Sequence, residues 1–285
     1  MKTKEIIPLS YDDTIAEAGI LPFLRVDNCK LKLYDSVDST NNVAKEMAVT
    51  GAEHGTVVLA NVQTKGRGRY GRSFFSPSGH GIYMTFILQP DTHWPVEIPL
   101  ITLFAGVIIC EAIEALCNSF CDCSNGNGIQ SEKKSPKVKW VNDVFLDGKK
   151  ICGILTEAVT DQKSGTIQRV IVGIGINFTA SDLPVEIKHI AGSVFGQEHP
   201  SFTRNQLVAE IINRLLSPTY SANEIIDKYR QRLFILGKKV KVEGQESQYE
   251  ATVLNVDSMG RLLVKNMSGD LITLSAGEVS IKAYS

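Results

Sequence analysis

Three arginines alternate with three glycines in Gly66-Arg67-Gly68-Arg69-Tyr70-Gly71-Arg72, directly after the apolar run Thr56-Val57-Val58-Leu59-Ala60. Glycine lets successive backbone N–H groups turn toward one point. The planar guanidinium matches the paired oxygens of carboxylates and phosphates. The segment reads as an anion-binding loop on the end of a strand, with a solvated surface turn as the plainer alternative. Gly66, Gly68 and Gly71 also spell the dinucleotide fingerprint G-x-G-x-x-G, which requires a strand before it and a helix after it. Here Ser76-Pro77-Ser78-Gly79-His80-Gly81 breaks any helix, and Ile82 to Leu88 reads as a further strand. Asp91, about twenty residues on, falls in the turn Gln89-Pro90-Asp91. Binding of a nicotinamide dinucleotide is excluded on these grounds.

A second constellation lies downstream. The apolar run Lys137 to Leu146, the turn Asp147-Gly148 and the run Ile151 to Glu157 spell a β-hairpin. Asn142 and Asp143 interrupt its first strand with polar groups that are costly to bury. Lys150 opens the second strand, either as a solvated edge residue or as a cation for chemistry. Val170 to Phe178 reads as a buried strand whose Gly173 and Gly175 permit close approach. Phe74 and Trp140 suit either the walls of a ligand site or ordinary core packing.

Gly-Arg-Gly-Arg-x-Gly-Arg, Lys-Trp-x-Asn-Asp, Lys-x-x-Gly-Ile-Leu-x-Glu and Gly-x-Gly-Ile-Asn occur in that order. With Ser39-Thr40-Asn41 ahead of them, the chain resembles the biotin–protein ligases over roughly residues 31 to 285. Val141 departs from the proline common in that motif, and the stretch Asn118 to Pro136 is longer and more polar than a compact member needs. The resemblance implies a ligase with two substrates, biotin and ATP. The biotin carboxylate attacks the α-phosphorus of ATP, giving biotinyl-5′-adenylate and pyrophosphate. A lysine of the biotin-carrier domain of a carboxylase then attacks the mixed anhydride and releases AMP.

The residue types suit that chemistry. A carboxylate and a triphosphate repel each other, and positive charge placed in advance in a water-poor site lowers the barrier to their meeting. By resemblance, Arg67 faces the biotin carboxylate and Arg69 the adenylate phosphate, while Lys150 reaches both groups during an in-line displacement. The resemblance also places Gly68 and Gly153 beside biotin, and Arg72, Phe74, Trp140, Asn142, Asp143 and Asn177 in the ATP region. Mg²⁺ is expected with the nucleotide near Asp143, because this ion bridges phosphates with few protein ligands. No dedicated metal site is expected. Ser39, Thr40, Asn41 and Gln63 offer hydroxyl and amide partners for the ureido ring. Ser39 can equally cap a helix that carries Val43 and Met47 and ends at Gly51. The arginine loop, glycine-rich and like-charged, is expected to lack order until an anion binds.

These residues need a scaffold. The 285 residues are 43% hydrophobic with a net charge of −1, enough for a large core and no basis for nonspecific nucleic-acid binding. The fold class expected is α+β: a mixed sheet with helices, similar to the class II synthetase catalytic domain, plus a small C-terminal SH3-like β-barrel. Residues 1–30 read as a short leader, 31–235 as the catalytic domain and 236–285 as the barrel. Pro99 to Cys117 reads as one long apolar helix, Thr203 opens another with a capping box, and Ala222 to Phe234 forms a third. Thr14 to Ala18 is weakly helical before Gly19. Five alternating runs between Lys239 and Ile281 supply the barrel strands.

The thirty residues before Leu31 are too few for a winged DNA-binding domain, so operator binding is not expected. No run of 18 uninterrupted apolar residues and no signal-peptide core occur, which predicts a cytoplasmic protein, as monomer or homodimer, without a membrane span. Cys117-x-x-x-Cys121-x-Cys123 lacks the spacing of a zinc site, and Cys110 and Cys152 read as buried small hydrophobes. Two other function classes fit parts of the pattern. One is a lipoate- or octanoate-transferring enzyme of related fold, and the other is a non-catalytic biotin-binding regulator.

Overall fold

Residues 81–88 and 170–176 are apolar at nearly every position, as strands covered on both faces must be. A computed structural model describes residues 13–90, 96–121, 134–161, 163–179, 183–196, 200–243, 248–275 and 278–281. The polar stretch 122–133, with Cys123, and Asp91 lie outside the described residues, as do residues 1–12.

Seven strands form one mixed sheet: β1 (Lys30–Val37), β2 (Thr56–Gln63), β3 (Gly81–Leu88), β4 (Lys137–Lys139), β5 (Asp143–Leu146), β6 (Lys149–Thr160) and β7 (Ile167–Asn177). Their spatial order is β1-β2-β3-β7-β6-β5-β4. The pair β1/β2 is parallel and every other pair antiparallel. The helices are α1 (Glu17–Ile20), α2 (Thr40–Val49), α3 (Ile101–Cys121), α4 (Arg204–Leu216) and α5 (Ala222–Arg232). Alternate side chains divide between the two faces. Val57, Leu59, Phe86, Val172 and Ile174 join the main core with α3, α4 and α5, while Val58, Ile87 and Ile171 pack under Ala44 and Ala48 of α2.

Helix α3 begins at Ile101, after a 3₁₀ turn at Ile98–Leu100 that takes up Pro99, and it continues to Cys121. The stretch Ile98–Ser119 has the length and hydropathy of a membrane span, but 78% of its apolar window is buried inside the fold. Its Glu111 meets Arg214 of α4 at 3.5 Å and Lys228 of α5 at 2.9 Å, and Glu114 meets Arg232 at 2.9 Å. It is the central helix of the core. Capping boxes are present at Thr203/Gln206 and Ser221/Glu224. The third helix ends at Arg232, two residues short of the sequence expectation. Helix α1 runs through Gly19 rather than stopping before it.

Residues 13–25 pack on α4. Ile15 and Ile20 enter the main core, Asp13 pairs with Arg204 at 3.2 Å, and Arg25 pairs with Glu210 at 2.7 Å. Strands β8 (Lys239–Glu243), β9 (Gln248–Val256), β10 (Leu262–Asn266), β11 (Leu271–Leu274) and β12 (Glu278–Ile281) form a second, antiparallel sheet in the order β11-β10-β9-β8-β12. All five expected strands are present and form one sheet. The second sheet shares the main core through Val240, Val253 and Val264. The Trp140 indole N–H donates to Gly260 O at 3.0 Å, which ties the two sheets together.

One sequence expectation needs correction. The run Lys137 to Leu146 is two antiparallel strands, not one, because the chain reverses at Trp140–Asn142 and Lys139 pairs with Asp143. The Trp140–Val141 peptide is cis. Asn142 and Asp143 therefore sit at a turn and a strand start, where polar groups meet the site instead of interrupting a sheet. The Asp147-Gly148 hairpin turn is present, with both residues at positive φ.

Candidate active site

The face of the sheet toward α2 becomes a cavity where side chains run out. Tyr83, Gly175 and Gly153 lie opposite one another across β3, β7 and β6, and the next row is Thr85, Gly173 and Leu155. A Cβ at Gly173 would overlap the Asn41 side chain, and one at Gly175 would stand 2.6 Å from the Phe74 ring. The two glycines let Asn41 and Phe74 lie directly on the sheet. Above this floor is a cavity of about 480 Å³.

One wall is the start of α2. Ser39 occupies the N-cap position, but its side chain makes no capping hydrogen bond, so it is a cap by backbone geometry alone. The Thr40 N–H and hydroxyl both donate to Gln63 Oε1, at 2.9 and 3.0 Å. Gln63 Nε2 donates to Ser76 Oγ at 3.0 Å. Thr85 Oγ1 lies 2.8 Å from both Thr40 Oγ1 and Asn41 Oδ1. Asn41 Nδ2 donates to Leu155 O at 3.3 Å and to Glu157 Oε2 at 2.9 Å, so its amide is committed to the floor.

The arginine segment forms a second wall as a small hairpin. Gly68 N–H donates to Arg72 O at 2.7 Å and Phe74 N–H to Gly66 O at 2.9 Å. Tyr70 and Gly71 turn its tip at φ 54° and 74°. Its arginines are paired with groups of the chain itself. Arg67 lays both terminal nitrogens on Glu157, at 3.1 and 3.0 Å, and also meets Asn42 Oδ1 at 3.0 Å. Arg69 donates to Asn142 Oδ1 at 2.9 Å and to the Tyr70 hydroxyl at 2.9 Å. Burial pushes the Glu157 carboxyl up, but hydrogen bonds from Lys45 and Asn41 and the charges of Lys45 and Arg67 outweigh it and hold the group below its ordinary value.

The far end carries Lys150, Asn142 and Asp143. Asn142 is pinned across the hairpin, donating to Ile154 O at 2.9 Å. Lys150 Nζ lies 2.7 Å from Asp143 Oδ1. That oxygen is buried and accepts no aligned hydrogen bond, so the contact is an ion pair by distance only. The segment 183–192 covers this end. Lys150 N–H donates to Ile190 O, Gly192 N–H to Lys150 O, and Asn177 Nδ2 to Gly192 O, at 2.8, 2.9 and 2.8 Å. Beyond it, Phe178, Phe195 and Phe202 pack edge to face with centroids 4.9–5.8 Å apart and anchor the returning chain.

All the residues singled out from the sequence border this one cavity: Ser39, Thr40, Asn41, Gln63, Arg67, Gly68, Arg69, Arg72, Phe74, Trp140, Asn142, Asp143, Lys150, Gly153 and Asn177. Trp140 both borders the cavity and packs in the core. Sequence reasoning did not single out Thr85, Glu157 or the apolar cover Leu183, Ile187 and Ile190 as parts of the site. Among the described residues no group of three or more His, Cys, Asp or Glu is placed to hold a metal ion. Cys117 is buried, and burial pushes the Cys110 thiol up to about 12.

Comparison with known proteins gives this geometry a lineage. Residues 33–177 match the family described as biotin/lipoate A/B protein ligase. The bifunctional ligase/repressor BirA of Bacillus spizizenii is 31% identical over 243 residues, spanning 82% of this chain and 69% of that protein. The biotin–[acetyl-CoA-carboxylase] ligase of Mycobacterium tuberculosis is 26% identical, with 88% of each chain covered. The structure of a biotin protein ligase from Aquifex aeolicus in complex with biotin and ATP superposes with a TM-score of 0.69 at 28% identity, over 89% of this chain and 98% of that one. The chain belongs to the biotin/lipoate A/B protein ligase family, and within it to the biotin protein ligases.

Proposed function

We propose that this chain joins biotin to ATP and passes the biotinyl group to a lysine on the biotin-carrier domain of a carboxylase. The observation that carries the reading is one cavity with hydroxyl and amide groups at one wall and Lys150, Arg69 and Asn142 at the other. A ligand with a neutral polar ring and a carboxylate tail fits that polarity.

In the first step a carboxylate oxygen of biotin bonds to the α-phosphorus, and the bond from that phosphorus to the bridging oxygen breaks, releasing pyrophosphate. Lys150 and Arg69 offset the negative charge gathered at this centre, in a cavity bordered by the apolar side chains of Ile187, Ile190 and Phe74. Thr40 and Gln63, both at the cavity wall, hold the ureido ring. In the second step a neutral lysine amine bonds to the biotinyl carbonyl, AMP departs and the amine loses a proton. Asp143 offers one buried hard oxygen with an unfilled acceptor position. This suits a Mg²⁺ that takes its remaining ligands from phosphate and water. The small C-terminal sheet is read as an SH3-like unit that borders the nucleotide end, where Glu243 reaches the cavity. Free thiols at Cys29, Cys110, Cys117 and Cys152 agree with a reducing, cytoplasmic setting.

The test is transfer itself. Protein, ATP, Mg²⁺ and biotin are mixed with an isolated biotin-carrier domain, and the acceptor's mass is followed. The expected result is one biotinyl addition that needs ATP. Addition of lipoate or octanoate in preference to biotin would overturn the reading.

A further inference from the structure

Glu157 lies on β6 one row beyond the cavity floor, with a side chain only 17% exposed. Four polar contacts from three side chains, two on α2 and one on the arginine hairpin, converge on its carboxylate. Arg67 approaches with both terminal nitrogens at 3.1 and 3.0 Å, Lys45 of α2 with Nζ at 2.5 Å, and Asn41 with Nδ2 at 2.9 Å. Two cations therefore share one anion. Arg67 is bridged across the hairpin to Ser73, and the hairpin it roots carries Arg69 at its tip. Fixing the Arg67 guanidinium fixes one leg of that hairpin against α2 and the floor.

We infer that Glu157 is a positioning residue that holds the arginine hairpin closed over the cavity by clamping Arg67, so that Arg67 works as the root of the strap rather than as a group bonded to the reacting acids. The physical argument is charge balance. A guanidinium already seated two-pronged on a carboxylate has its strongest bonding edge occupied. Without the Glu157 charge, Lys45 and Arg67 face each other across the space its carboxylate filled, and their repulsion drives the hairpin outward. The inference deepens the proposed reaction and rests on it for its kinetic consequences, but the position of the hairpin can be read without any chemistry.

The experiment uses the full chain as wild type, Glu157→Gln, Arg67→Gln and the double variant. Trypsin cleavage within residues 67–72 reports hairpin opening, and the half-life of bound biotinyl-adenylate reports closure over the intermediate. Glu157→Gln is expected to raise the cleavage rate at Arg69 and Arg72 and to shorten the half-life, each about tenfold. Arg67→Gln should do the same at those two bonds, with the double variant no worse than either single one. Added salt should shrink the Glu157→Gln effect, because the repulsion it exposes is screened. Should Glu157→Gln prove unstable, Arg67→Gln carries the cleavage test alone. Cleavage and half-life that stay at wild-type values in the single variants overturn the inference, as do fully additive losses in the double variant. A wild-type protein that forms no biotinyl-adenylate contradicts the proposed reaction instead, and the cleavage arm still decides the role of Glu157.

Discussion

The placement of single groups decides what this cavity can do. Lys150 and Asp143 stand within ion-pair distance at its far end, and Glu157 balances two cations at the root of the arginine hairpin. The lowered Glu157 carboxyl has a consequence for stability. Its folded-state value lies below the ordinary 4.5, so the unfolded chain binds its proton first as pH falls. The stabilisation is present above the ordinary carboxylate range and is lost as pH drops through the lowered value. Melting temperature measured against pH should separate wild type from Glu157→Gln at neutral pH, and the two curves should converge in acid. A separation that stays constant from neutral pH to well below 4.5 would remove this charge from the stability of the fold.

At the scale of elements, the hairpins, the glycine-bearing strand and the helix caps were legible because each is written in neighbouring residues. Asp147-Gly148 marks its turn, and Thr203 with Gln206 marks its helix start. Loss of the cap in Thr203→Ala should cost about 1 kcal/mol in denaturant unfolding without changing the slope against denaturant. An unchanged midpoint would mean that the Gln206 N–H finds another acceptor. The reversal at Trp140–Asn142 was not legible, because a continuous apolar run reads the same whether it is one strand or two. Glu157 was quoted within a motif but given no role, since its partners Asn41, Lys45 and Arg67 are joined to it only by the sheet. The alternation of Gly153, Leu155 and Glu157 along β6 was the available signal, because it puts all three on the cavity face. The cover 183–192 offered no periodicity at all. It is held by backbone bonds to Lys150 and by the Asn177 side-chain amide, which donates to Gly192 O.

Over the whole molecule, the sheet serves two purposes on opposite faces. One buries the apolar helix α3, whose charged residues are paired with α4 and α5. The other gives up side-chain volume at Gly173 and Gly175 so that Asn41 and Phe74 can lie on the sheet and border the cavity. The second sheet is bound to this frame through Trp140 and Gly260 and closes part of the same cavity with Glu243. The fold class could be anticipated from the order of apolar runs. The order of the strands within the two sheets could not, because it depends on which edges meet.

The central claim is that cations placed in advance let a carboxylate attack a polyphosphate, with Lys150 foremost among them. Biotin-dependent release of pyrophosphate from ATP, measured in a single turnover for wild type and Lys150→Ala beside calorimetric titration with biotin, tests it most directly. The account predicts a rate lower by on the order of 10²-fold in the variant, with biotin binding weakened but still measurable. Release at the wild-type rate from Lys150→Ala would contradict it.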